Sequence, residues 1–169
     1  FIGNNFSGFK RMQLIYALII LLLPLHSAFA EKCASDELFT AKYMILNGDE
    51  EAQHIAFNSL HKSKDSINTG EAEFYLSVIK YRQNQSSDAL AFMQQSHEKL
   101  FFLSNAFYAT AYSLGLFGFD KNENEANKYF EQYLELGKNC ESMTKEMQQP
   151  EQIFTLILKI FGVPTQERQ

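Results

Sequence analysis

Three acid-alanine dyads, Glu51-Ala52, Asp88-Ala89 and Glu125-Ala126, recur at an interval of 37 residues. A period in this range belongs to helical arrays, in which each unit is a helix pair that buries its apolar face only by stacking on a neighbour. The expected fold is therefore all-α: a right-handed α-solenoid of about three antiparallel helix pairs plus a C-terminal capping helix. Gly and Pro are sparse inside the periodic segments, and Ala, Leu, Phe, Tyr, Glu and Gln dominate them, in keeping with helix.

A leader has to be set aside before the array is read. Lys10 and Arg11 precede an apolar stretch from Leu14 to Leu25, Pro24 interrupts it, and Ala28-Phe29-Ala30 supplies the small-x-small pattern that signal peptidase reads. Cleavage is expected after Ala30. Met12 stands at the head of the apolar stretch, and Phe1 to Arg11 are assigned no function. A run of twelve residues falls short of the ~20 that cross a bilayer as a helix, so the mature chain is expected to have no integral membrane span. The expected compartment is the periplasm, with secretion as the alternative. The organisation read from the sequence is 1–30 signal peptide, 31–149 helical-repeat domain, 150–162 C-terminal capping or docking helix, and 163–169 tail.

The leader carries two basic residues and no acids, so the chain beyond it has 13 basic against 20 acidic side chains, a formal charge of −7. Nucleic-acid binding depends on Lys and Arg neutralising phosphates, and this balance argues against such a partner. A protein or peptide partner is expected instead, and oligomers are compatible with the apolar C-terminal segment.

Punctuation places the helices. The first pair is expected over about 34–46 and 50–62, split by Asn47-Gly48-Asp49; the second helix of that pair has the stripe Ala52, Ile55, Ala56, Ser59 and Leu60. The second pair follows over about 70–82 and 88–100, with Asn68 and Glu71 at capping-box spacing. The third begins near Ser104, breaks at Gly115-Leu116-Phe117-Gly118, and resumes behind Asp120 and Glu123, again at capping-box spacing. Gly137 is placed to end that helix in a left-handed turn. A short polar helix is expected after Cys140 as far as Gln148. Pro150 then opens an apolar helix with Ile153, Phe154, Leu156, Ile157, Leu158, Ile160 and Phe161. Two readings of it stand side by side, a cap for the end of the stack and a docking or oligomerising helix.

Residues 105–137 resemble a Sel-one-like repeat, the longer-looped relative of the tetratricopeptide repeat. Gly118-Phe119 is similar to that family's loop Gly-Val, Ala126 to its signature alanine, Tyr129-Phe130 to its aromatic pair and Gly137 to its closing glycine. Thr110 and Ser113 replace the Gly and Tyr of the family pattern. Ala89 with Leu76-Ser77, and Ala52 with Phe39-Thr40 and Tyr43, resemble the shorter tetratricopeptide pattern. The resemblance implies that the first helix of each pair lines a groove, with Phe74, Val78, Arg82, Phe107, Tyr108 and Ala111 facing a partner. Relatives that clamp a peptide carboxylate use Lys and Asn where Glu37 and Ala41 stand here, so an extended or helical peptide held by apolar contacts fits better.

No catalytic constellation emerges. His54 and His61 are two turns apart, ~10 Å along a helix axis, too far to share one ion. His97-Glu98 has no second histidine after it, and the chain has neither a nucleophile elbow nor a phosphate loop. No metal, no cofactor and no enzymatic activity are expected. Cys33 and Cys140 have the oxidising surroundings for a disulfide, but lie at opposite ends of the array; intramolecular pairing, intermolecular pairing and two free thiols all remain open.

Overall fold

The computed structural model describes residue 33 and residues 36–66, 68–141 and 143–164. The leader, with its expected cleavage residues Ala28 and Ala30, and the tail beyond residue 164 lie outside them. Among the described residues there are seven α-helices and no strand: α1 Phe39–Asn47, α2 Glu50–Ser63, α3 Glu71–Arg82, α4 Ser86–Glu98, α5 Phe102–Leu114, α6 Glu123–Gly137 and α7 Pro150–Phe161. A 3-10 turn, Asp36–Leu38, leads into α1, and another, Glu146–Gln148, stands where a short polar helix was expected.

Consecutive helices pack as hairpins, α1 with α2, α3 with α4 and α5 with α6, and α2 meets α3 as α4 meets α5. Each dyad alanine occupies the first turn of the second helix of its pair, α2, α4 or α6. The acid beside it favours the positive end of the helix dipole. Ala89 and Ala126 are buried, whereas Ala52 is half-exposed. The expected α2 stripe is also only partly inward: Ala56 and Leu60 are buried, but Ser59 and Ile55 face outward.

The starts of the helices differ from the capping boxes read in the sequence. For α3, Gly70 is the N-cap residue with φ +81°, and Thr69 Oγ1 accepts from the Glu71 amide at 3.3 Å. The Ser96 hydroxyl donates to the Gly70 carbonyl at 2.7 Å, and a Cβ on Gly70 would stand 2.7 Å from the Ser96 carbonyl oxygen. Only glycine lets the start of α3 approach the end of α4 this closely. For α6, Asn122 caps the Asn124 and Glu125 amides, so the helix begins beyond Asp120.

Gly137 has a different task from the left-handed cap expected of it. The helix runs through Gly137, and Lys138 beyond it is still right-handed. A Cβ there would come 3.2 Å from Phe102 Cδ2 and 2.0 Å from Met143 Cε, so glycine serves a close approach between α6, α5 and the following loop. The left-handed caps are at Gly115 after α5 and Gly162 after α7. Gly118, with φ +86° and open space around it, serves the turn alone.

Cys33 and Cys140 form a disulfide across 107 residues, with their Cα atoms 5.5 Å apart. The loop after α6 is thus tied to Cys33, shortly before α1. In the chain-entropy description, closing a loop of this length contributes ~4 to 5 kcal/mol.

Substituting Ala89 or Ala126 with Leu is expected to overpack the helix crossing and lower stability by about 1–3 kcal/mol. Ala52→Leu, at a half-exposed site, is expected to cost less. Urea unfolding of the three variants checks the order.

Candidate functional site

The groove expected between the first helices of the pairs is filled by the chain itself. Helix α7 packs against both α5 and α3. It turns Ile153, Ile157, Leu158, Ile160 and Phe161 inward and leaves Glu151, Thr155 and Lys159 outside. Phe161 is the hub: its ring centroid lies 5.1 Å from Phe107, 5.3 Å from Phe117, 5.6 Å from Tyr81 and 6.0 Å from Phe74. Phe117 closes over it from a left-handed backbone conformation, φ 57°. That conformation costs ~1 kcal/mol or more for a side chain of this size, which the burial of the ring offsets.

Of the residues expected to face a partner, Phe74, Val78, Phe107 and Ala111 are therefore core. An apolar helix has to bury its stripe somewhere, and the nearest apolar surface is the one these residues offer. Arg82 also turns inward: Nη2 donates to the Ile160 carbonyl at 2.7 Å, and Nη1 donates to the Ile45 carbonyl. One guanidinium thus joins the ends of α1 and α7 to α3, and burial lowers its pKa.

Tyr108 points away from α7. Its ring stacks on Tyr129 at 5.0 Å and meets His97 at 5.3 Å, while Tyr112 stacks on Tyr129 at 5.8 Å. Burial, then Tyr129, Tyr112 and Glu98, pushes the Tyr108 phenol up to about 12. Burial lowers the His97 pKa; Glu98 opposes that shift and Lys128 adds to it. Together these rings form a packed aromatic seam between α4, α5 and α6.

The carboxylates most removed from water, Glu71 and Glu73, are committed to ion pairs. Lys42 Nζ of α1 lies 2.9 Å from Glu71, and Lys99 Nζ lies 2.5 Å from Glu73 and also donates to the Lys64 carbonyl. Glu71 adds to the effect of burial in raising the neighbouring Tyr75 phenol above its ordinary range. The two helix histidines are used locally, His54 with Asn58 at 3.3 Å and His61 stacked on Phe57 at 5.9 Å. Among the described residues, no group of three or more His, Cys, Asp or Glu is arranged to hold a metal ion, and no helix is long and apolar enough to cross a membrane.

Clefts and an apolar face stand open among the described residues. Phe57, Lys80, Asp88, Ala91, Phe92 and Gln95 line a cleft of about 340 Å³ where α2, α3 and α4 meet. A smaller one, about 210 Å³, lies between Phe130 of α6 and Phe154 of α7. The face belongs to the first hairpin: Phe39 is 64% exposed, Tyr43 61%, Leu46 44% and, on α2, Ile55 51%. Phe39, Tyr43 and Leu46 recur at four- and three-residue steps and so share one side of α1.

The sequence analysis missed this face, although its signal was legible. Helix α1, FTAKYMILN, carries apolar side chains around most of its circumference, and a helix of that kind is normally covered on more than one side. Here Ala41 and Ile45 are covered and the opposite side is not. No protein-family model, curated protein or solved structure matches the chain.

Arg82→Ala is expected to lower stability by about 3 kcal/mol, since it removes two bonds from a charged donor to buried carbonyls. Arg82→Lys should recover only part of this, because a single ammonium does not reproduce the guanidinium fork; chemical unfolding measures both. His97 binds its proton less readily folded than unfolded, so stability should be full above the unfolded imidazole pKa of ~6.5 and fall as pH drops below it. His97→Phe should flatten that slope in melting curves recorded across the interval.

Proposed function

We propose that this chain is an exported, non-enzymatic protein-interaction module: a tetratricopeptide-like, Sel-one-like array of three helical hairpins that uses no cofactor. The placement of the dyad alanines at equivalent points of three successive hairpins supports the array. The Cys33–Cys140 disulfide and the leader pattern support an oxidising compartment outside the cytoplasm, with the periplasm preferred.

The observation that carries the reading is the uncovered apolar side of α1, with Phe39 and Tyr43 both more than half exposed. Contiguous apolar patches beyond a few hundred Å² are rare on folded monomers and mark contact surfaces. The contact surface is then the open end of the first hairpin, and the groove between the first helices holds α7 as an internal strut. A helical segment laid along the α1 seam fits the spacing of these side chains.

The test is a photo-crosslinking residue at position 43, with a second at the exposed position 138, just past α6, as control, in the cell that exports the protein. Position 43 is expected to give discrete protein adducts that position 138 does not. The absence of adducts from position 43, or the same adducts from both, would remove the α1 face as the contact surface.

A further inference from the structure

The two junctions between hairpins use corresponding positions and are finished differently. Counted by the 37-residue interval, Asp88, Ala91, Phe92 and Gln95 of α4 correspond to Glu125, Lys128, Tyr129 and Gln132 of α6. Between the second and third hairpins the space is closed. Lys128 Nζ lies 3.1 Å from Glu125 and 5.4 Å from the centre of the Tyr129 ring, which stacks on Tyr108 and Tyr112 and meets His97. Between the first and second hairpins the corresponding residues line the open cleft of about 340 Å³. Ala91 stands where Lys128 does, and the cation comes from the other wall, from Lys80 near the end of α3. Phe92, unlike Tyr129, stacks on no ring among the described residues, and Phe57 has only His61, one turn further along α2.

The charges of the cleft are left over as well. The Lys80 ammonium donates to Gln85 Oε1 at 2.7 Å and lies 4.8 Å over the Phe57 ring, so both of these partners are neutral. An ammonium has three N–H donors, and one goes to Gln85. Asp88 is exposed in the first turn of α4, and pairs neither with Lys80 nor with another cation among the described residues.

We propose that this cleft binds a free α-amino acid with an aromatic side chain, in its zwitterionic form. Phe57, Ala91 and Phe92 take the ring, as Tyr108 and Tyr112 take that of Tyr129 in the next junction. Lys80 donates to the α-carboxylate, and Asp88 accepts from the α-ammonium. A ligand with one charge of each sign matches a site that offers one of each. A simple carboxylate would face Asp88 unpaired, and a simple amine would face Lys80. The volume is at the small end of ligand sites, which suits a single residue. The cleft is open on one side and its charges keep part of their hydration, so the dissociation constant is on the order of 1 mM. The site does not use Phe39, Tyr43 or Leu46, so it stands or falls separately from the contact surface on α1.

The experiment is a titration of the isotope-labelled protein, purified after export with its disulfide intact and followed by amide chemical shifts. L-phenylalanine up to about 10 mM is expected to give saturable shifts clustered on residues 57, 80 and 88–95. N-acetyl-L-phenylalanine, which lacks the cation, and L-phenylalaninamide, which lacks the carboxylate, should each bind at least about fivefold more weakly. L-alanine, which lacks the ring, should do the same. Lys80→Met keeps the apolar stem and should erase the preference for L-phenylalanine over its amide. Asp88→Asn should erase the preference over the N-acetyl compound, and Ala91→Phe, which fills the cleft, should abolish the shifts. Lys121→Met, outside the cleft, should leave binding unchanged. The amide spectrum of each variant shows whether it folds; should Lys80→Met not fold, Asp88→Asn and Ala91→Phe, both at exposed positions, decide. The proposal is overturned if no saturable shifts appear or if they cluster elsewhere. Equal binding of either derivative to the unaltered protein overturns it too, as does an Ala91→Phe variant that binds as before.

Discussion

Much of the fold depends on where α7 buries its apolar stripe. Ile153, Ile157, Ile160 and Phe161 are nearly inaccessible, and each such side chain contributes ~1.5 to 3 kcal/mol on leaving water. Together they amount to on the order of 10 kcal/mol, comparable with the whole net stability of a domain this size. The seat for this stripe is supplied by α3 and α5, whose Phe74 and Phe107 meet the Phe161 ring. Arg82 then fixes the ends, since its guanidinium reaches one carbonyl of α1 and one of α7. A helix that follows three hairpins in sequence therefore acts as an internal strut across the second and third of them.

Buried charge sets the register of what the strut holds. Lys42 reaches from the first hairpin to Glu71 in the second, and Lys99 links Glu73 to the carbonyl of Lys64. Ion pairs of this kind add little net stability, because desolvation offsets the attraction, but losing one partner strands a charge and typically costs 3–5 kcal/mol. They act as locks on the relative position of hairpins rather than as a source of adhesion. The disulfide adds a covalent tie between Cys33, shortly before α1, and the loop that leads to α7.

With the internal groove occupied, the open apolar side of α1 becomes the surface on which a functional reading turns. Among the described residues, the apolar packing that joins hairpin to hairpin leaves this side exposed. The proposed interaction module rests on this side of α1, since a stacking face suits another helical surface. Tyr108, Tyr112, Tyr129 and His97 have the chemical variety of a site, but are spent on packing one another.

The 37-residue interval and the three-and-four spacing of apolar residues settled that the chain forms helical pairs, because helix geometry translates directly into sequence period. Pro150 and the asymmetry of Glu151, Thr155 and Lys159 likewise announced an amphipathic last helix. Which surface that helix covers was not legible, since an apolar stripe specifies burial but names no partner. The roles of Gly70 and Gly137 were equally hidden, because a close approach between segments distant in sequence leaves no local mark. The pairing of Cys33 with Cys140 waited on the same cause: only the path of the backbone decides whether two ends meet. Local periodicity determined the elements, and contacts between distant residues decided which side chains became core and which were left open to another molecule.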